Sequence, residues 1–167
     1  MTGADPTTLK PPELLNANHE LMHFDCGEPL LDEWLRRRAM ANQFAHVARS
    51  YVVCRELQVV GYYTLAAGAI ALVEAPGRVR RNMPNPIPMA LLGRFAVDRA
   101  WQANGLGRLL LRDAILRARH AAEVIGVRGI LVHALSPAAK RFYANGGFVE
   151  SPANPMTLLL PFNWDAA

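Results

Sequence analysis

Apolar and polar residues alternate in blocks along the chain, and these blocks predict the order of strands and helices. The stretch Met89–Val97 carries one charge and stops at Asp98, which is the length and composition of a buried strand. From Leu106 onward, apolar residues recur at i, i+3, i+4 and i+8, and arginines occupy another face at helical spacing. The loop with Gly105 and Gly107 therefore connects a strand to a helix N-terminus.

The rest of the pattern predicts a mixed α/β domain, with helices on a central mixed sheet. One helix is expected to start within Asp25–Pro29, with Pro29 in its first turn. Another is expected over Pro137–Asn145, which Ser136 caps and two glycines end. Met1–Pro12 is expected to be an irregular arm and Glu20–Phe24 a short strand or turn. The predicted strands are Arg49–Cys54, Val59–Leu65, Met89–Val97, Gly126–Ala134, Phe148–Val149 and Met156–Leu160.

Composition narrows the class of protein. At 167 residues and 51% hydrophobic, the chain is expected to form one domain over residues 1–167, with a sizeable core. The net charge of +4 permits a polyanionic partner without requiring one. The start has no signal-peptide pattern, and the longest uncharged apolar stretch, Val59–Val73, is shorter than a bilayer span. We expect a cytoplasmic protein without membrane contact or metal, with Cys26 and Cys54 as reduced core thiols.

The loop with two glycines has a chemical consequence. The first N–H groups of a helix lack intrahelical partners and carry partial positive charge, so this loop can cradle a pyrophosphate. A plain tight turn before a helix would use the same glycines. A Walker loop would need Lys and Ser/Thr where Arg108 and Leu109 stand, and a dinucleotide fingerprint would need glycine at Leu110.

The full pattern Gln102-x-x-Gly105-x-Gly107 resembles the Q/R-x-x-G-x-G/A signature of the GNAT superfamily of acetyl-CoA-dependent N-acetyltransferases. The resemblance implies a GNAT-like fold, with backbone N–H groups from Gln102 to Arg108 holding the coenzyme A pyrophosphate. It also implies that the preceding strand pairs with the pantetheine arm. The implied cofactor-binding residues in this region are Phe95, Ala96, Val97, Gln102, Ala103, Asn104, Gly105, Leu106, Gly107 and Arg108.

A second stretch, Ser136 to Phe148, resembles the GNAT signature Asn-x-x-Ala-x-x-Phe-Tyr-x-x-x-Gly-Phe. Ser136 stands where the family has Asn, and the resemblance implies that it contacts the pantetheine arm. Tyr143 matches the position that commonly acts as general acid. A phenol, with a pKa near 10, can protonate the leaving thiolate and stay neutral at pH 7. The alternative for Tyr143 is a core tyrosine that packs against the sheet.

A general base is harder to identify, because Met89–Val97 holds no carboxylate. The nearest acids in the sequence are Glu74 and Asp98, and we expect Asp98 to cap the loop instead. The substrate amine can also be partly neutral by itself, since an α-amine has a pKa near 7.7–8.0. His133 lies on an apolar strand, and we interpret it as a hydrogen-bonded core histidine.

Several further stretches resemble the tRNA-acetylating toxins of bacterial toxin–antitoxin pairs. They are Phe24-Asp25-Cys26-Gly27, Gly61-Tyr62-Tyr63-Thr64-Leu65, Pro86-Ile87-Pro88 with Leu91–Asp98, and Ala121–Val127. The resemblance implies acetylation of the α-amine of an aminoacyl-tRNA. It also implies a homodimer and inhibition by a ribbon-helix-helix antitoxin. The alternatives are acetylation of a small amine or a protein amine, and a non-catalytic acyl-CoA-binding module.

The arginines are concentrated in three places, and two of these places have two interpretations each. Arg36–Arg38 can be a solvated helix face or a contact to a polyanion, and Lys140-Arg141 adjoins Tyr143. The proline-rich segment Pro76–Pro88, with Arg78, Arg80 and Arg81, can be an ordered loop on the substrate side or a surface linker. A plain nucleic-acid-binding protein is disfavoured, because no helix-turn-helix signature and no basic patch with interleaved aromatic residues is present.

Overall fold

The computed structural model describes residues 5–162. Over this range seven strands form one mixed sheet in the order β1-β2-β3-β4-β5-β7-β6. The strands are β1 Glu13–Leu14, β2 Arg49–Arg55, β3 Gln58–Ile70, β4 Ile87–Val97, β5 Gly129–His133, β6 Val149–Glu150 and β7 Thr157–Pro161. The helices are α1 Pro29–Arg37, α2 Ala39–Phe44, α3 Gly77–Arg80, α4 Leu106–Val124 and α5 Pro137–Asn145. The predicted fold class, a mixed sheet with helices, is confirmed.

The described chain divides into two compact units. The first contains the described residues up to Ala66 together with Arg94–Ala114. In it β1, β2 and β3 pair antiparallel, and residues of α1 pack on a core that includes Leu35, Val52 and Tyr62. Helix α1 begins with Pro29 and ends with basic residues in its last turn, which matches the preferences of helix termini.

The second unit contains Ala67–Gly93 and the described residues from Ile115. Here β4 pairs parallel with β5, and β7 lies antiparallel between β5 and β6. Its core includes Ile70, Val79, Met89, Leu131 and Leu159. This arrangement confirms the predicted buried strand and the C-terminal hairpin.

Most predicted elements are present, with shifted ends. Strand β4 begins two residues before the predicted Met89, and β3 continues five residues beyond the predicted end at Leu65. The sequence did not predict β1 or α2. The expected irregular arm contains a 3-10 turn at Pro6–Thr8, and its residues 1–4 lie outside the described range.

Two local predictions are wrong. The segment Pro76–Pro88 is not a continuous loop, because it contains α3, it buries Val79 and its last two residues belong to β4. His133 is exposed rather than in the core, because β5 ends there with its side chain outside the packed layer. Its Nδ1 lies 3.0 Å from the Thr157 hydroxyl, so the expected hydrogen bond does exist.

Both cysteines are free thiols, as expected, and each is half-buried against the core of the first unit. Burial raises the pKa of Cys26 and of Cys54 to about 12. For Cys26, the hydrogen bond and the charge of Asp32 add to this effect. Both side chains are therefore thiols, not thiolates, at neutral pH.

The tight approach of β5 to β7 gives a stability prediction. A Cβ at Gly129 would overlap the backbone carbonyl oxygen of Leu160 and come within 2.9 Å of the Pro161 Cα, so the strands would have to separate. We expect Gly129→Ala to lower the free energy of unfolding by about 1–3 kcal/mol. Gly126→Ala is the control, since a Cβ there has no neighbour within 4 Å. Equal urea midpoints for the two variants would contradict this account.

Candidate active site

The loop after β4 is shaped by a short 3-10 turn and two residues with positive φ. Asp98 precedes the 3-10 turn Arg99–Trp101, and its Oδ1 accepts a hydrogen bond from the Ala100 N–H at 3.0 Å. The buried Trp101 side chain anchors the turn. Ala103 and Gly105 then have φ values of +62° and +93°, and at Gly105 this favours glycine. The expected capping role of Asp98 is confirmed.

The loop ends on the N-terminus of α4. The Leu106 N–H is bonded to Asn104 Oδ1 at 3.3 Å, and the Leu109 N–H is bonded to the Gly105 carbonyl at 3.2 Å. The helix itself supplies no partner for the N–H groups of Gly107 and Arg108, which precede the first i→i+4 bond. The N-terminus of α4, a helix of nineteen residues, thus presents N–H groups and partial positive charge. The adjoining loop leaves open space at Gly105, where a Cβ would have no neighbour within 4 Å.

The Gln102 side chain braces this loop from within the first unit. Its Nε2 donates to the Val97 carbonyl at 2.8 Å and to the Cys26 carbonyl at 2.9 Å. Its backbone N–H is bonded to the Arg99 carbonyl at 3.4 Å. Gln102 therefore holds the loop through two carbonyl groups, one on β4 and one on Cys26.

Residues Asp25–Gly27, here called the strap, also hold the loop. The sequence predicted only that they lead into a helix, and α1 begins after them, at Pro29. Asp98 Oδ2 accepts from the Asp25 N–H at 3.0 Å, and Arg99 Nε lies 3.2 Å from Asp25 Oδ1. The only signal in the sequence was the Phe24-Asp25-Cys26-Gly27 stretch shared with the toxin subgroup. Spacing could not have paired it with a loop more than 70 residues away.

In the second unit, α5 carries Ser136 and Tyr143. Ser136 caps the helix, since its Oγ accepts from the Ala139 N–H at 3.1 Å, and a hydroxyl that accepts one bond can still donate another. Tyr143 is 6% exposed, and its ring contacts those of Phe142 and Phe148, with centroids 5.3 and 5.6 Å away. Burial raises the pKa of its phenol above the ordinary value, so the group is protonated at neutral pH.

The sequence-predicted site residues fall into two groups. The first unit holds ten of them, at the end of β4, in the loop and in the first turn of α4: Phe95, Ala96, Val97, Gln102, Ala103, Asn104, Gly105, Leu106, Gly107 and Arg108. The second unit holds Ser136 and Tyr143 on one helix. Of the two acids considered as bases, Asp98 is used in capping and Glu74 lies on an exposed 3-10 turn.

Within two of the basic clusters, some side chains have partners in the fold and others are exposed to solvent. Arg36 is half-buried and its Nη1 donates to the Phe24 carbonyl at 3.1 Å, whereas Arg37 and Arg38 are exposed. Lys140 pairs with Glu150 at 2.6 Å, and the neighbouring Arg141 is exposed. The side chains of Arg36 and Lys140 therefore have roles inside the fold, and Arg37, Arg38 and Arg141 face the solvent.

Comparison with known proteins identifies the family. Residues 46–150, more than half of the chain, match the acetyltransferase (GNAT) domain family. The chain belongs to the GNAT acetyltransferases. It is an enzyme, an acetyl-CoA-dependent N-acetyltransferase, as its sequence predicted.

Two relatives of the chain are named as toxins or probable toxins. The chain is 50% identical over 149 residues to the tRNA-acetylating toxin of Mycobacterium tuberculosis, covering 89% of this chain and 90% of the relative. It resembles the structure of AtaT complexed with acetyl-methionyl-tRNAfMet, with a TM-score of 0.85, 32% identity, and coverage of 92% and 94%. It also resembles a tyrosine-to-phenylalanine variant of AtaT bound to the antitoxin AtaR C-terminus and acetyl-CoA, with a TM-score of 0.77, 31% identity, and 92% coverage of both chains.

Two kinds of feature are absent from residues 5–162. None of the helices between residues 5 and 162 is long and apolar enough to cross a membrane. Over the same residues, no group of three or more His, Cys, Asp or Glu side chains is arranged to hold a metal ion.

The buried phenols give a pH prediction. Burial raises the pKa of Tyr62 and of Tyr143 above the ordinary value of about 10, so the folded chain holds protons that the unfolded chain releases. This stabilisation is complete below pH ~10, and the free energy of unfolding should fall as the pH rises further. In ultraviolet difference titration, Tyr143→Phe should leave the number of tyrosines that ionise in the folded state unchanged. A loss of one would show that Tyr143 ionises without unfolding.

Proposed function

We propose that this acetyltransferase transfers the acetyl group of acetyl-CoA to the α-amine of an aminoacyl-tRNA, as the toxin of a toxin–antitoxin pair. The observation that carries the proposal is the relative from Mycobacterium tuberculosis, which is 50% identical over 89% of this chain and is named a tRNA-acetylating toxin. The likeness to AtaT in complex with an acetylated aminoacyl-tRNA supports the same substrate class. Acetylation of the α-amine would block peptide-bond formation.

The coenzyme seat is assigned in this proposal to the loop and the start of α4. The N–H groups of Gly107 and Arg108 would bind the pyrophosphate, and the positive φ of Gly105 lets the backbone turn toward it. Backbone groups of Phe95–Val97 would pair with the pantetheine arm. Ser136 would contact that arm through its hydroxyl proton, since its oxygen already caps α5.

Tyr143 is assigned the role of general acid. The substrate amine attacks the thioester carbon, the new N–C bond forms, the C–S bond breaks and the electron pair leaves on sulphur. The Tyr143 hydroxyl donates to that developing thiolate. Because burial raises the pKa of this phenol, the hydroxyl is protonated before each turnover, and a phenolate would recover its proton from water or from the amine.

Deprotonation of the amine is assigned to the substrate's own acidity. Strand β4 offers no carboxylate, and Asp98 accepts hydrogen bonds from the backbone of Asp25 and Ala100. An α-amine with a pKa near 7.7–8.0 is partly neutral at pH 7, and esterification to tRNA lowers that value. The leaving ammonium proton would pass to water.

The proposal includes the molecules around the enzyme. It would act as a homodimer in the cytoplasm, where charged tRNA is found, and a ribbon-helix-helix antitoxin would hold it inactive. Solved complexes of AtaT with the C-terminus of the antitoxin AtaR support an antitoxin partner for this chain. The exposed Arg37, Arg38 and Arg141 would contact the phosphates of the tRNA.

The role of Tyr143 is tested by removing its hydroxyl. Tyr143→Phe keeps the ring that packs against Phe142 and Phe148, so the variant should fold and bind acetyl-CoA as the parent does. Its turnover should fall about 10²–10⁴-fold, the usual contribution of general acid catalysis. Stopped-assay rates at saturating acetyl-CoA measure this. Turnover within about threefold of the parent would exclude the hydroxyl as the acid.

The substrate is tested with purified aminoacyl-tRNA and with purified amines. Acetylation of aminoacyl-tRNA should fall steeply between roughly 50 and 200 mM salt, as phosphate contacts do. Arg37→Glu with Arg38→Glu should lower kcat/KM for aminoacyl-tRNA at least about tenfold and leave acetyl-CoA affinity unchanged. Mass spectrometry of the aminoacyl-nucleoside released from the product identifies the acetylated atom.

The matched control is Arg49→Glu with Arg55→Glu, two exposed arginines at the ends of β2, which makes the same change in net charge. It should stay within about threefold of the parent. Free amino acids, polyamines and a lysine-containing peptide form the competing substrate panel. Efficient acetylation of any of these, with aminoacyl-tRNA unmodified, would replace the tRNA proposal with a small-amine or protein-amine acetyltransferase.

A further inference from the structure

The strap, Asp25–Gly27, is hydrogen-bonded to the loop after β4 through Asp25 and Cys26. The Arg99 N–H donates to the Asp25 carbonyl at 2.8 Å, and the Asp25 N–H donates to Asp98 Oδ2 at 3.0 Å. The Cys26 carbonyl accepts from Gln102 Nε2 at 2.9 Å. One backbone N–H of the loop region, that of Arg99, and two of its side chains, those of Asp98 and Gln102, are thus bonded to two consecutive residues of the strap.

The strap and the residue before it are also hydrogen-bonded to α1. Asp32, which is 6% exposed, accepts from the Cys26 N–H at 3.0 Å. Arg36 Nη1 donates to the carbonyl of Phe24, the residue before the strap, and the Phe24 ring is buried in the core. The strap is therefore a fixed reference for the loop, because buried groups determine its position.

Glycine is required at the third strap position. Gly27 has a φ of +98°, and its N–H donates a hydrogen bond to Asp25 Oδ1 at 3.1 Å. That same carboxylate oxygen lies 3.2 Å from Arg99 Nε, and a Cβ at Gly27 would stand 3.5 Å from this Nε. The turn at Gly27 therefore aims the Asp25 carboxylate at the loop.

We infer that Gln102 is a positioning residue, which fixes the loop after β4 by clamping the Val97 carbonyl to the Cys26 carbonyl of the strap. The inference rests on the proposed coenzyme seat and concerns a different group within it. In this inference the Gln102 carboxamide acts on the loop and not on the coenzyme, because both hydrogens of its Nε2 are already donated to carbonyl groups. Its two hydrogens join the end of β4 to the strap, and this sets the direction in which the chain continues toward Gly105 and the N–H groups of α4.

The clamp has a distinct kinetic signature. Gln102 is exposed, so its loss leaves the core intact and frees only the loop. A loop that must be ordered when acetyl-CoA binds weakens binding, because the ordering opposes association. The reacting thioester and amine are not held by this loop, so kcat should remain unchanged while KM for acetyl-CoA rises.

The test compares two substitutions at Gln102. Gln102→Glu keeps the shape of the side chain but replaces the donor with a carboxylate that faces the carbonyl oxygens of Val97 and Cys26. Because both hydrogen bonds are lost, KM for acetyl-CoA and the Kd for coenzyme A should rise about tenfold. Gln102→Arg restores N–H donors, matches the alternative residue of the family signature, and should stay within about threefold of the parent. For both variants, kcat with aminoacyl-tRNA should stay within about twofold and the melting temperature near that of the parent.

Two further variants make the outcome decisive. Gln58→Glu, the same change on the β2–β3 hairpin, should leave coenzyme affinity unchanged, and Gly105→Ala, strained at φ +93°, should weaken it. Parent-like coenzyme A binding by Gln102→Glu together with weakened binding by Gly105→Ala would overturn the clamp and keep the seat. Parent-like binding by both would overturn the seat and the clamp with it. If Gln102→Glu does not fold, Gln102→Met, which has no donor and no charge, is held to the same tenfold expectation.

Discussion

The carboxylate of Asp98 accepts hydrogen bonds from two parts of the chain at once, from Ala100 on its own turn and from Asp25 of the strap, each at 3.0 Å. The first bond starts the 3-10 turn that leads the chain away from β4. The second fixes that turn to residues that α1 holds in place. Without this shared acceptor, two N–H groups would lose their partner, and the loop would enter α4 without a fixed direction. The position of the helix N–H groups therefore depends on this carboxylate, together with the Gln102 carboxamide that joins β4 to the same strap.

The sequence predicted the elements that have a periodic pattern in consecutive residues. It missed elements that form only through pairing with distant parts of the chain. Strand β4 and helix α4 were predicted because a buried strand and an amphipathic helix each leave a periodic pattern in consecutive residues. Strand β1 has two exposed residues and exists only through its pairing with Val52 and Tyr51, so no pattern of its own could reveal it. Helix α3 has four residues, too few to show helical periodicity, and it buries only Val79.

The same difference applies to the site. The glycines, Gln102, Ser136 and Tyr143 were predicted because family signatures fix their spacing, and the structure adds what each contacts. The two hydrogen bonds of the Gln102 carboxamide could not be read from spacing, because one acceptor, the Cys26 carbonyl, is 76 residues away and is a backbone group of no particular residue type. The runs of basic residues did not predict which side chains are used inside the fold. Only the structure shows that Arg36 bonds to the Phe24 carbonyl and that Lys140 pairs with Glu150, whereas Arg37 and Arg141 are exposed.

The thiol of the strap has a consequence for an enzyme that handles a thioester. Cys26 belongs to the strap, which is bonded to the loop after β4, and its Sγ donates to the Glu28 carbonyl at 3.6 Å. Thioesters exchange readily with thiolates and only slowly with thiols, and burial together with Asp32 raises the Cys26 pKa to about 12. At neutral pH the Cys26 side chain is therefore a poor acceptor for the acetyl group of a thioester.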